Sequence, residues 1–135
     1  MTVRYLTEDE VIAINQYIIK QADEGSAEVV DPDGLKSIIE QPQMVAYGHE
    51  TYPTIWLKAA CLLQKLTKNL VFNEGNKRTA YLSTVIFLRL NHIKFELSGS
   101  DAKDFMWDEM FAPDKKDRMI NVAPIFKLYS KRIES

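Results

Sequence analysis

The ten residues Asn69-Leu70-Val71-Phe72-Asn73-Glu74-Gly75-Asn76-Lys77-Arg78 bring together a glycine, three asparagines, two cations and a carboxylate, a density matched nowhere else in the chain. They join two hydrophobic segments of helical periodicity and so read as a loop that ends in a helix N-terminus. Gly75 opens backbone angles closed to other residues and lets a ligand approach the main chain. Asn76 has a side chain suited to capping. The first N–H groups of the following helix, its positive dipole end and the cations Lys77 and Arg78 together suit an anion, above all a phosphate group. Glu74, one residue before the glycine, offers a carboxylate to a phosphate-bridging divalent cation. The same residue types also begin helices that follow a Gly-Asn turn and bind nothing. The spaced glycines and Lys-Ser/Thr pair of a P-loop are absent.

The elements around this loop are mostly helical by pattern. Thr7-Glu8-Asp9-Glu10 is a capping box. It opens a helix to about Gln21 whose apolar face is Val11, Ile12, Ile14, Ile18 and Ile19. A loop over 22–30 and a turn at Asp31-Pro32-Asp33-Gly34 lead to a short helix with Leu35, Ile38 and Ile39, stopping near Pro42. Residues 43–53 read as loop or short strand, with His49 on the surface. A helix from about Thr54 to Lys68 precedes the loop, with Trp56 in packing, and one from about Asn76 to Leu90 follows it. Val85-Ile86-Phe87-Leu88 makes the latter apolar nearly all round, which suits the centre of a bundle. Asn91-His92 ends it, and Lys94-Phe95-Glu96-Leu97 is briefly extended. Ser98 or Ser100 caps a helix containing Phe105, Met106 and Met110 that ends at Ala112-Pro113. A solvated run, Asp114-Lys115-Lys116-Asp117-Arg118, precedes a last helix from about Asn121 to Arg132, with Pro124 in its first turn.

Composition bounds the reading. With 135 residues, one domain over 1–135 is expected. A net charge of −2 argues against general affinity for nucleic acid or membranes. Cys61 is a lone cysteine among Ala59, Ala60, Leu62 and Leu63, so a buried thiol is expected. The N-terminus lacks a signal-peptide run, and the apolar tract around Thr84 to Leu90 is too short for a bilayer, which points to a cytoplasmic protein.

Phe72-Asn73-Glu74-Gly75-Asn76-Lys77-Arg78 resembles the signature loop of the Fic/Doc family, His-x-Phe-x-Asp/Glu-Gly/Ala-Asn-Lys/Gly-Arg. The Lys77 variant resembles its Doc, or death-on-curing, branch. Six of the seven specified positions match, and the seventh, the histidine, is Leu70. Chain length, helical pattern and the following Thr79-Ala80 are also similar. The resemblance implies an all-α, compact Fic-like bundle of about six helices with a short hairpin or flap at Val45, Ala46, Tyr47 and Gly48 that docks an extended segment of a target protein. It implies ATP and Mg²⁺, with Glu74 as the metal residue. Gly75, Asn76, Lys77 and Arg78 would hold phosphates, Lys77 and Arg78 would also act in catalysis, and Phe72 would pack inward to fix the loop.

The implied reaction transfers part of a nucleotide to a protein hydroxyl, with the motif histidine as general base. Lys77, and Tyr81 at the position where the adenylylating branch often has a further arginine, favour a Doc-like kinase acting on elongation factor Tu over a protein adenylyltransferase. Leu70 offers no proton acceptor, and loss of a general base costs about 10²–10⁴ in rate, so this chain is expected to be inactive or strongly impaired. The leucine could be a natural degeneration in a module kept for binding antitoxin or nucleotide, or an inactivating substitution that spares the host; the intact remainder of the loop favours the latter. A plain helical domain matching by chance is the third reading. The inhibitory pattern Ser/Thr-x-x-x-Glu-Gly/Asn has no match, since its nearest counterpart has Lys20 where the hydroxyl belongs. Restraint is therefore expected from a separate Phd-like antitoxin whose tail folds onto the toxin.

Overall fold

Six helices carry the chain, and the computed structural model describes residues 2–23, 25–111 and 116–133. Helix α1 (Glu8–Ala22) starts at the expected capping box. The Thr7 hydroxyl accepts from the Glu10 N–H at 3.2 Å, and the Glu10 carboxylate accepts from the Thr7 N–H at 2.9 Å. Helix α2 (Pro32–Glu40) begins inside the segment expected to be a turn. Asp31 is its N-cap, accepting from the Gly34 N–H at 2.9 Å, and Pro32 fills the first helical position, where its missing N–H costs nothing. A single 3₁₀ turn over Gln41–Gln43 follows.

Strands β1 (Val45–Ala46) and β2 (His49–Glu50) form an antiparallel hairpin, pairing Val45 with Glu50 and Ala46 with His49. Its two-residue turn has Tyr47 at φ 53° and Gly48 at φ 77°, the double positive φ of a type I′ turn. The sequence-expected flap is therefore an exposed hairpin, with the Tyr47 side chain wholly in solvent. Helix α3 (Ile55–Lys68) is capped by the Thr54 hydroxyl, and helix α4 (Asn76–Leu90) follows the signature loop. Strand β3 (Ile93–Phe95) leads to α5 (Gly99–Phe111), for which Ser98 supplies the cap through the Asp101 N–H at 3.2 Å.

Helix α6 (Lys116–Leu128) departs from expectation at both ends. It absorbs Lys116, Asp117 and Arg118 of the presumed solvated run. It stops before residues 130–132, which form β4 (Ser130–Arg132) antiparallel to β3. Pro124 thus lies within the helix rather than in its first turn. Proline there removes the bond to the carbonyl of Ile120, but Ile120 and Pro124 are both exposed, so water can satisfy the freed group. Ala112-Pro113, Asp114 and Lys115 lie outside the described residues.

The core forms where α4 packs against α1, α3, α5 and β3, while α6 covers α3. Leu62, Leu63, Leu66, Ala80, Phe87, Leu88, Val122 and Phe126 are buried together. Phe126 lies edge-on to Phe95 at 5.0 Å and to Phe105 at 5.8 Å. Cys61 is buried as a free thiol, and Trp56 packs against the core as expected. Among the described residues, no helix is long and apolar enough to cross a membrane. The chain is thus mostly helical, as the sequence predicted, with the expected hairpin and a second two-stranded ribbon, β3–β4, whose last strand was expected to be helix.

Candidate active site

The signature loop leaves α3 at its C-cap, Asn69, and enters α4 through Gly75. The cap of α4 is Gly75 itself, in the left-handed region at φ 75°, and not the side chain of Asn76. Any L-residue would be strained at that φ. A Cβ there would also press on Ile19, Asn15 and Ile18 of α1 at 3.2–3.5 Å. Thr79 N–H donates to the Gly75 carbonyl at 2.8 Å and closes the first turn. The backbone N–H groups of 76–78 thus precede the intrahelical ladder and stand at the positive end of the helix dipole.

Asn76 has different work. Its carboxamide oxygen accepts from the Phe72 N–H at 3.0 Å, and its Nδ2 donates to the Phe72 carbonyl at 2.8 Å. That two-point pairing folds residues 72–76 into a closed turn. The loop is also stitched to the chain before α2. Val71 carbonyl accepts from the N–H groups of Val30 (2.8 Å) and Asp31 (3.2 Å), and Asn73 N–H donates to the Glu28 carbonyl at 2.8 Å. The isolated bridge between Val29 and Phe72 lies between these bonds. Val71 and Phe72 are buried beneath the loop.

A residue with no place in the sequence reading completes the frame. Asn15 of α1 is 1% exposed. Its Nδ2 donates to the Glu74 carbonyl at 2.9 Å and to the Thr79 hydroxyl at 3.0 Å. The signal was available, because Asn15 interrupts the apolar face four residues after Val11 and three before Ile18. A buried polar residue on such a face must have partners.

The exposed chemistry sits on this frame. Glu74 projects its carboxylate onto the backbone of Gly25, where any Cβ would overlap it. Among the described residues, no group of three metal-ligating side chains occurs. Glu74 is thus a single carboxylate, without two further His, Cys, Asp or Glu side chains grouped beside it among the described residues. Lys77, Arg78, Tyr81, Leu82, Ile18 and Lys103 line a cavity of about 630 Å³ beside the N-terminal half of α4. Three cations face an otherwise largely apolar space, and burial pushes the Tyr81 phenol above its usual pKa.

Leu70 is 62% exposed and holds φ 46°, in the left-handed region. His49 is exposed on β2 and His92 is exposed just beyond α4, the surface positions expected for both. The hairpin residues Val45, Ala46, Tyr47 and Gly48 belong to a separate element tied to the first turns of α3, whereas the loop leaves the last turn of that helix.

Comparison with known proteins matches this geometry to a family. Residues 5–88 fit the model of the Fic/DOC family. The protein named Toxin Doc from Mycolicibacterium smegmatis is 37% identical over 84 residues, which cover 61% of this chain and 65% of that protein. The chain thus spans about 65% of the length of the curated relative it matches. The matched span runs from the segment before α1 through most of α4. It therefore holds the hairpin, the stitched loop and the glycine-capped helix start, and with them the chain belongs to the Fic/Doc family.

Proposed function

We propose that this chain is a Doc-like toxin of a toxin–antitoxin pair. Its ancestral activity is transfer of the terminal phosphate of ATP to a hydroxyl of a translation factor of the elongation factor Tu type, and Leu70 silences it at the position of the general-base histidine. The observation that supports the reading is the framework of the loop and helix start. A left-handed glycine cap, a two-point asparagine clamp and a buried asparagine strut hold a helix N-terminus beside Lys77 and Arg78. So much fixed hydrogen bonding around a solvent-facing loop exceeds what a simple helix start requires. The printed name of the relative, Toxin Doc, supports the branch, as do Lys77 and the half-buried Tyr81.

On this reading the N–H groups at the start of α4 and the side chains of Lys77 and Arg78 bind phosphate oxygens and offset charge that develops in the transition state. Asn76 serves the anion mainly through its backbone and through the loop shape it enforces, since its side chain is engaged with Phe72. Glu74 would hold Mg²⁺, which when bound neutralises phosphate charge. The target hydroxyl loses its proton to a base, its oxygen bonds to the γ-phosphorus, and the bond from that phosphorus to the bridging oxygen breaks to release ADP. Leu70 cannot take the proton. An antitoxin chain would restrain an active form. The protein works in the cytoplasm, where its translation target resides, and needs no contact with nucleic acid or membrane.

The test is mass spectrometry of elongation factor Tu after incubation with Mg²⁺-ATP and either this chain or Leu70→His. A phosphate-sized gain with Leu70→His alone is expected. A nucleotide-sized gain would replace the kinase by an adenylyltransferase. Nucleotide binding without transfer by either chain would leave a binding module for antitoxin or nucleotide. A gain of equal size with both chains would overturn the role given to Leu70.

A further inference from the structure

The β1–β2 hairpin is fastened to the molecule by a buried ammonium group. Lys58, in the first turn of α3, is 2% exposed. Its Nζ donates to the Pro42 carbonyl at 3.0 Å and to the Glu50 carboxylate at 2.9 Å. Pro42 lies just before the hairpin and Glu50 ends its second strand, so one cation grips the segment on both sides. The same Nζ sits 5.5 Å from the centre of the Tyr5 ring, which stacks on Phe87 of α4 at 6.1 Å. Burial disfavours the charge, but hydrogen bonds and charges from Glu50 and Tyr5 outweigh it and raise the Lys58 pKa, so the ammonium persists at neutral pH.

The hairpin needs such an anchor. Two strands of two residues cannot hold themselves in water. Val45 is 63% exposed and Tyr47 wholly exposed, so no apolar burial fixes them. The hairpin is further held by Thr51 N–H to the Met44 carbonyl at 3.0 Å and by Met44 N–H to the Gln41 carbonyl at 3.1 Å, and Tyr52 just after it is buried in the core. Lys58 ties the hairpin to the helix that delivers the signature loop. The ten helical steps from Lys58 to Lys68 make a rigid spacer of about 15 Å.

We propose that Lys58 is a positioning residue: it sets the hairpin at a fixed place relative to the signature loop, so that a protein strand laid along the hairpin presents its hydroxyl to the site. This rests on the proposed function for the identity of the strand, but not for the anchoring itself. A structural role elsewhere in the core would show as general destabilisation, whereas anchoring predicts a local effect.

Lys58→Met keeps the apolar stem and removes the ammonium. Hydrogen exchange at Ala46, His49 and Thr51 is expected to accelerate about tenfold or more while α4 amides keep their protection, since a lost charged hydrogen bond is worth about that factor. In the Leu70→His background the same substitution should raise KM for the protein target about tenfold and leave kcat and KM for ATP within about twofold, with Lys58→Arg recovering part of the loss. Unchanged hairpin exchange, or a fall in kcat at constant KM, overturns the proposal. If Lys58→Met loosens α3 and α4 as well, Glu50→Gln decides, because Glu50 is half-exposed and the amide oxygen still accepts from the buried ammonium while the charged bond is weakened. Hairpin amides alone should then accelerate, and no change there refutes the anchor. Absence of any transfer by Leu70→His would overturn the proposed function and the substrate half of this proposal together, while the exchange result would still decide the anchoring.

Discussion

Leu70 gains almost nothing from the place it occupies. It is 62% exposed, so little hydrophobic stabilisation accrues, and φ 46° costs a leucine roughly 1–2 kcal/mol. Asparagine and histidine tolerate that region better, and valine tolerates it worse. Leu70→Asn should therefore raise the stability of the chain by about 0.5–1 kcal/mol and Leu70→Val should lower it by about 1 kcal/mol in urea unfolding. Leu70→His should cost nothing. A large loss with histidine would mean that the loop is built around leucine, against the proposed reading. Asn15 is the opposite case, a residue that is costly to change. Asn15→Leu would leave the Glu74 carbonyl and the Thr79 hydroxyl without their donor. A loss of about 1–3 kcal/mol is expected, together with weaker nucleotide binding as the cap of α4 loosens. Glu74, Gly75, Lys77 and Arg78 stood out in the sequence because charge and glycine advertise themselves. The strut was not, because a hydrogen bond across 59 residues leaves no local pattern.

Helix α4 is clamped at both ends by the same device. Asn76 pairs with both backbone groups of Phe72 at its start. Asn91, just past its last residue, does the same for Arg4, accepting from its N–H at 2.9 Å and donating to its carbonyl at 2.9 Å. Asn91 also donates to the Phe87 carbonyl at 2.8 Å. The N-terminal segment is thereby tied down just before Arg4 meets Glu10 in a two-pronged ion pair. The hydrogen-bonded Arg4 guanidinium holds the Glu10 carboxyl down to about 2, against its ordinary 4.5. The sign follows directly: the pair's stabilisation is complete above the ordinary value and fades as pH falls through about 2. Arg4→Ala should flatten the acid limb of stability between those two values. The difference should shrink in high salt, because the pair is largely exposed. Helix existence was readable throughout from periodicity and caps. The boundaries that slipped did so for specific reasons. Asp31-Pro32 serves as a helix start as well as a turn, and Pro124 sits in a helix interior that solvent exposure makes tolerable. The ribbon of β3 and β4 was half visible, since pairing across 35 or more residues cannot be inferred from either strand alone.

The family match ends at residue 88, yet the molecule does not. Helix α6 lies on α3, burying Met119, Val122, Ala123 and Phe126, and β4 pairs with β3 at the far end of α4. The segment that bears the signature loop is thus braced by chain beyond the matched span. Phe126 is the joint of that brace: 1% exposed, it meets Phe95 beyond α4 and Phe105 on α5 edge-on. Edge-to-face pairs add to the area that each ring buries. Phe126→Ala should cost about 3–5 kcal/mol, a large share of the roughly 5–15 kcal/mol that holds a domain of this kind together. If the chain is one cooperative domain, as its length and continuous core imply, the loss should appear as a single shifted transition. Far-UV circular dichroism and tryptophan fluorescence, read in a Trp107→Phe background so that Trp56 on α3 alone reports, should then give the same midpoint. Two separated transitions would instead mark α5 and α6 as a unit that loosens without the family core. In a Phe126→Ala chain that remains folded, Mg²⁺-nucleotide affinity should be unchanged, because the clamps of the loop all lie on α1, α4 and the segment before α2. A loss of affinity in step with stability would show that the brace reaches the site, through α3 or through α5, whose Phe105 meets Phe126 and whose Lys103 lines the cavity.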